Sequence, residues 1–231
     1  MSRVLTLYRS SVGKKALMAI SGILLIGFVI GHMLGNLKVF QSTGASGVHP
    51  LDEYGVFLRG LGYPIVPEYG VLWVARILLL GAVGVHMVAA FQLWQKSRQA
   101  RATGYKKETS QVFSYASRTM RWGGVIILLF VIYHILHFTT GSVHPDFEYG
   151  SVYANLVAGF QSVPVALFYV VAVGALCLHL YHGLWSVFST LGVQNPRVNR
   201  IRRPLAAVVA VGLFVGYAIV PVAVLTRILT L

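Results

Sequence analysis

The sequence predicts an all-α integral membrane protein with five transmembrane helices, in one domain covering residues 1–231. Two observations carry that expectation. The chain is 56% hydrophobic and only 11% charged, with a mean hydropathy of +0.71; a soluble domain has about a quarter of its residues charged. Five apolar runs also reach the length of about 20 residues that a helix needs to cross hydrocarbon. They fall at about 14–40, 71–96, 121–141, 164–190 and 204–229.

The first run follows a basic N-terminus and is long, with no small-residue cleavage site, so it reads as a retained helix rather than a signal peptide. Between the first two spans, "VFQSTGASGVHPLDEYGVFLRGLGYPIVPEYG" is rich in Gly and Pro and reads as a loop. The second and third are joined by the basic "QKSRQARATGYKKETSQVFSYASR", the third and fourth by "GSVHPDFEYGSVYANLVAGFQS", which has no Lys or Arg. "GVQNPRVNRIRRP" leads to the fifth span, expected to open at Pro204.

The net charge of +13 is not spread evenly. Arg3, Arg9, Lys14, Lys15, Lys96, Arg98, Arg101, Lys106, Lys107, Arg118, Arg121, Arg197, Arg200, Arg202 and Arg203 are 15 of the 19 basic residues, and all fall in the N-terminal segment or the two basic linkers. The other face has Lys38, Arg59 and Arg227, with Arg76 inside a span, and it holds Asp52, Glu53, Glu68, Asp146 and Glu148. An excess of Lys and Arg marks the cytoplasmic side, so the N-terminus is expected inside and the C-terminus outside. The basicity is thus a topology signal, with anionic lipid or a cytoplasmic partner as further uses, and no nucleic-acid partner is expected. Cys177 is the one cysteine, which excludes a disulfide and a C-x-x-C metal knot, so any iron–sulfur cluster lies in another chain.

An internal echo accompanies this topology. "VHPLDEYG" at 48–55 and "VHPDFEYG" at 143–150 share V-H-P-x-x-E-Y-G, and each follows an outward-running span. They suggest a duplicated two-helix unit, with the fifth helix an addition.

Six of the eight histidines sit inside the spans: His32, His86, His134, His137, His179 and His182. Ionisable groups at that depth are costly and mark functional sites. A lone one often only bonds a neighbouring helix, but here each of the first four spans has at least one and the fifth has none. Counting along each helix puts His32 and His134 in the outer half of the bilayer and His86 and His179 in the inner half. Two layers result, each with histidines from two helices. Imidazoles facing one another in a dry bundle suit bis-axial ligation of haem iron, so the first four helices are expected to form a haem-binding bundle. No C-x-x-C-H motif is present, so the two haems would be non-covalent, b-type. Gly22, Gly27, Gly31, Gly35, Gly81 and Gly84 offer room for a macrocycle or for ordinary helix packing.

"SVGKKALMAISGILLIGFVIGHMLGNLKVF", "RWGGVIILLFVIYHILHF" and "FYVVAVGALCLHLYHGLWSVF" resemble the dihaem cytochrome b membrane anchor of succinate dehydrogenase and fumarate reductase, respiratory complex II, in its single-chain five-helix bacterial form. The resemblance implies that His32 and His134 hold the outer haem and His86 and His179 the inner one. It selects His134, 13 residues after Arg121, over His137, and His179, four residues before the Gly of "GLWS", over His182. His137 and His182 then become neighbours, bonding another helix or a haem edge. Arg76 is a candidate for an outer haem propionate, and Lys96, Arg118 or Arg121 for inner ones.

The same resemblance implies partners. These are a cytoplasmic flavoprotein with FAD, where succinate and fumarate interconvert, and an iron–sulfur subunit. Quinone, menaquinone in this type, is the membrane substrate, and Glu53, Glu68, Glu148, His49 and His144 are candidates for proton exchange with it. Cys177 and Leu178 precede His179 where some fumarate-reducing relatives carry a glutamate, which favours the succinate-oxidising direction. The expected place is the bacterial cytoplasmic membrane. Alternatives are the cytochrome b of a formate dehydrogenase or hydrogenase, and a histidine-dependent proton or metal transporter. The transporter would call for midplane carboxylates and broken helices.

Overall fold

The computed structural model describes residues 10–100 and 115–231, and seven α-helices form among them. They are α1 (Ser11–Asn36, extended by a 3-10 turn at Leu37–Phe40), α2 (Pro50–Gly60), α3 (Gly70–Gln99), α4 (Tyr115–Phe138), α5 (Val152–Gln161), α6 (Val163–Thr190) and α7 (Pro196–Leu225). Helices α1, α3, α4, α6 and α7 are long and apolar enough to cross a membrane. The chain is an all-α, multi-pass membrane protein.

Caps explain where the spans depart from expectation. The Ser10 side chain accepts from Gly13 N at 3.0 Å, so α1 opens before the expected residue 14. Asn195 Oδ1 accepts from Val198 N at 2.9 Å and Pro196 fills the first turn, so α7 starts well before Pro204, which lies inside the helix. The segments expected to be loops on the far side each contain a helix. His49 caps α2 with its ring, Pro50 opens it, and Asp52 and Glu53 in its first turn complement the helix dipole.

Packing is uneven. α1 lies along α3, α4 along α6, and α6 along α7, whereas α1 and α4, and α3 and α6, scarcely meet backbone to backbone. The bundle is therefore a pair, α1/α3, facing a trio, α4/α6/α7. Val173, Cys177 and Leu180 of α6 interlock with Ala210 and Leu213 of α7, small residues allowing close approach, and Ile26, Val29 and Met33 of α1 close over that seam. Tyr217 Oη donates to the Val29 carbonyl at 2.6 Å, tying α7 to α1. Tyr217→Phe keeps the ring and loses only this bond, so we expect a loss of about 1 kcal/mol in stability, read as a lower thermal midpoint in detergent.

The far end is capped by α2 and α5. Val157, Phe160 and Leu156 of α5 are buried against Leu51, Tyr169, Val220, Val224 and Leu229. Asp52 Oδ1 accepts from Tyr153 N at 2.9 Å, and Tyr153 Oη donates to the Thr230 carbonyl at 2.7 Å. The flanks expose large apolar side chains such as Ile20, Phe91, Val171 and Val208, as a lipid-facing surface does.

Charge follows the ends of the bundle. Where α1, α4 and α7 begin and α3 and α6 end, Lys14 Nζ bonds Gln92, Arg121 lies over the Trp94 ring at 5.9 Å, and Arg202 bonds Ser189. The carboxylates Asp52, Glu53, Glu68, Asp146 and Glu148 all lie in the connections at the far end. Arg3, Arg9, Arg101, Lys106 and Lys107 of the basic face lie outside the described residues, as does the Arg118 side chain.

Candidate functional site

Two pairs of histidines bridge the seam between the helix pair and the trio. In the near layer, toward the basic end, His86 of α3 faces His179 of α6 with ring centroids 6.2 Å apart and planes at 62°. In the far layer, His32 of α1 faces His134 of α4 at 5.8 Å and 78°. The backbones of α1 and α4, and of α3 and α6, stay apart, and the ring pairs reach across between them.

Local sequence sets each ring. A Cβ on Gly22 would come to 3.4 Å from His86 Cε1, so this glycine lets α1 lie close beside the ring. Gly124 stands in the same relation to His179, at 3.9 Å. His86 Nδ1 lies 3.1 Å from the Met18 carbonyl and donates to it, which leaves Nε2 as the nitrogen with a free lone pair. Phe28 stacks on His32 at 5.2 Å, and Phe130 lies 5.8 Å from His134. Asn36 Nδ2 sits 3.5 Å from His32 Nε2. Gly22 and Gly124 each precede the far histidine of their helix by ten residues. At 1.5 Å per residue the layers are therefore about 15 Å apart.

These contacts expose a repeat stronger than the loop echo. "MAISGILLIGFVIGH" at 18–32 and "MRWGGVIILLFVIYH" at 120–134 share M-x3-G-x5-F-V-I-x-H. "GAVGVH" at 81–86 and "GALCLH" at 174–179 share Gly-Ala five residues before the near-layer ring. Met120 faces His179 as Met18 faces His86, but closes no bond of normal geometry onto His179 Nδ1, which is buried without a partner. The repeat was legible in the sequence as equal spacing ahead of each histidine.

The donor sets define what each layer can hold. Two imidazole nitrogens about 2 Å on either side of one metal, plus the ring radii, put centroids roughly 6 Å apart. Both observed separations match. Among the described residues no three His, Cys, Asp or Glu side chains gather around a point, so each layer offers imidazoles from two helices and no third such ligand. That is the donor set of a macrocycle with its own four nitrogens, and haem fits it. Gly27, Gly31, Gly81 and Gly84 face open space, whereas Gly35 packs on Tyr54, where a Cβ would come to 2.8 Å.

The remaining candidates separate. His137 is 1% exposed and bonds Tyr169 of α6 through Nδ1 at 3.0 Å. His182 meets Trp185 edge-on at 5.0 Å, and its buried Nδ1 is unpartnered. Arg76 holds its guanidinium over Trp73 at 5.0 Å. His49 stacks on Tyr153 at 3.9 Å, Glu53 accepts from Ser46 at 2.8 Å, and Glu68 and Glu148 are exposed. His144 is buried with both ring nitrogens used: Nδ1 accepts from Asp146 N at 3.2 Å and Nε2 donates to the Asn155 carbonyl at 2.9 Å. None of these five is in ring or hydrogen-bond contact with His32 or His134, and His144 reaches that layer through His137 and Tyr169 and through the Phe138 ring. Lys96 and Arg121 lie at the near end, Arg121 over Trp94.

A family model described as "Succinate dehydrogenase/Fumarate reductase transmembrane subunit" matches residues 95–219, more than half of the chain. Neither the curated proteins nor the solved structures compared with the chain match it.

Proposed function

Because this chain belongs to the succinate dehydrogenase/fumarate reductase transmembrane-subunit family, and so is a membrane subunit of complex II, we propose that it carries electrons between an iron–sulfur subunit and quinone through two b-type haems. The carrying observation is the pair of facing histidine layers, His86/His179 and His32/His134, at 6.2 and 5.8 Å. His86 and His179 would hold the inner haem, His32 and His134 the outer one. Haem bound there supplies one-electron carriage, and layers about 15 Å apart bring the two stations within one bilayer.

The chain's own residues do the rest. Met18 fixes the His86 tautomer through its carbonyl, and Phe28 and Phe130 wall the far rings. The basic near end, taken as cytoplasmic, suits docking of the iron–sulfur subunit, with the FAD-bearing flavoprotein beyond it. Quinone exchange is assigned to the far rim, where Glu53, Glu68, Glu148 and His49 stay available for a proton while His144 is occupied within the cap. Arg76 stands at that rim for an outer propionate, and Lys96 and Arg121 at the near end for inner ones. Menaquinone as the acceptor and the succinate-oxidising direction rest on the resemblance and on the lack of any Asp or Glu within the five spans.

A reduced-minus-oxidised spectrum with haem quantitation on the purified complex tests the reading. Two b-type haems per chain are expected. One per chain would break the two-layer assignment, and none would remove electron transfer altogether.

A further inference from the structure

We propose that Tyr169 is a positioning residue of the outer haem, holding His134 by a hydrogen bond whose direction is fixed by a second histidine, His137. The inference rests on the reading that His134 is an outer axial ligand. Tyr169 of α6 is 6% exposed, and its hydroxyl lies 3.4 Å from His134 Nδ1 and 3.0 Å from His137 Nδ1. Two Nδ1 atoms therefore converge on a hydroxyl with one proton.

Oη could accept from both rings, but the buried Tyr169 O–H also needs an acceptor, and satisfying it leaves one arrangement. With His134 offering Nε2 to the metal, its Nδ1 carries the ring proton and donates to Tyr169 Oη. The Tyr169 proton is then free to point only at His137 Nδ1, which must accept. The His137 ring is held in place to do so, being 1% exposed and stacked between Tyr133 at 5.4 Å and His144 at 4.9 Å. His144 is itself pinned to Asn155 of α5 and to Asp146 N. A chain of side chains thus runs from the far cap to the far-layer ring.

The near layer solves the same problem differently. There the backbone carbonyl of Met18 accepts from His86, and a carbonyl has no proton to pass on. At the far layer the acceptor is a hydroxyl that donates onward, and each bond in such a chain strengthens the next. An acceptor on Nδ1–H makes the imidazole a stronger electron donor, which favours the oxidised metal. Removing Tyr169 Oη should therefore raise the potential of the outer haem and leave the inner one unmoved.

The experiment is a redox titration of the purified complex, resolving the two haems, on wild type, Tyr169→Phe, His137→Phe and His134→Ala. Tyr169→Phe is expected to keep two haems and shift only the outer midpoint upward. His137→Phe, which keeps a stacked ring but removes the acceptor of the Tyr169 proton, should shift it the same way by less. Either variant with both haems bound and a wild-type outer midpoint overturns the proposal. Should Tyr169→Phe not assemble, the His137→Phe shift decides alone. His134→Ala losing one haem keeps the ligand reading; His134→Ala retaining both sinks that reading and this inference with it.

Discussion

With the proposed ligands, His179→Ala is expected to lose the inner haem and His182→Ala to keep it. The two residues are three apart, about 60° short of a full turn of α6 and about 4.5 Å apart along it, so only one need face the partner across the seam. His179 points across the seam to His86 at 6.2 Å, while His182 turns to Trp185 at 5.0 Å. Removing either member of the facing pair leaves one imidazole where the proposed site would need two, so His86→Ala is expected to give the same one-haem protein. The double variant should be no worse than either single one, because the second change removes a partner of something already gone. Haem per chain and the reduced-minus-oxidised amplitude report this directly. A one-haem His182→Ala protein beside a two-haem His179→Ala protein would reverse the ligand choice.

Gly159→Ala destabilises the protein, although alanine is the better helix former. In an open helix the exchange gains up to about 1 kcal/mol. On α5, however, the new Cβ would come to 2.9 Å from His137 Cε1, 3.1 Å from His144 Nε2 and 3.1 Å from Phe138 Cε1. None of these can yield cheaply, because His137 is bonded to Tyr169 and His144 to Asn155 and Asp146. Overpacking of this kind costs about 1–3 kcal/mol, more than the gain in propensity. We expect a thermal midpoint several degrees lower in detergent. Gly183→Ala on α6 is the control, since its Cβ would meet nothing within 4 Å. It should leave the midpoint unchanged or raise it. Equal midpoints for the two variants would contradict the packing seen around Gly159.

The spans were legible because hydrocarbon imposes one rule on every residue in them, and depth sorted the histidines into two layers, whereas choosing His134 over His137 and His179 over His182 took the family resemblance. The short helices were not. Pro50 and the Gly-rich flanks of α2 read as loop punctuation, although His49, Pro50, Asp52 and Glu53 together are a helix start. Pro204 reads as the opening of the fifth span because a proline interrupts helical hydrogen bonding, yet Asn195 and Pro196 cap α7 upstream of it. His144 resembles His49 through the V-H-P echo, and each ring does accept an N–H two residues on, from Leu51 and Asp146. Only three-dimensional packing distinguishes them, burying one beneath α5 and stacking the other on Tyr153. Tyr169 carried no signal at all, since an aromatic in an apolar run is ordinary until two imidazoles converge on it.

The repeat of M-x3-G-x5-F-V-I-x-H has an arithmetical consequence. His32 and His86 belong to the first half of the chain and His134 and His179 to the second, and both ring pairs join one half to the other. Each half therefore owns two half-sites and no whole one. On the proposed reading a lone half would hold no complete two-histidine site, and two copies of one half meeting about a twofold axis would complete both at once. Fusing the halves into a single polypeptide turns a concentration-dependent encounter into an intramolecular one, and frees each copy to diverge: Met18 keeps its carbonyl on the ring it faces, while beside the other ring Met120 does not.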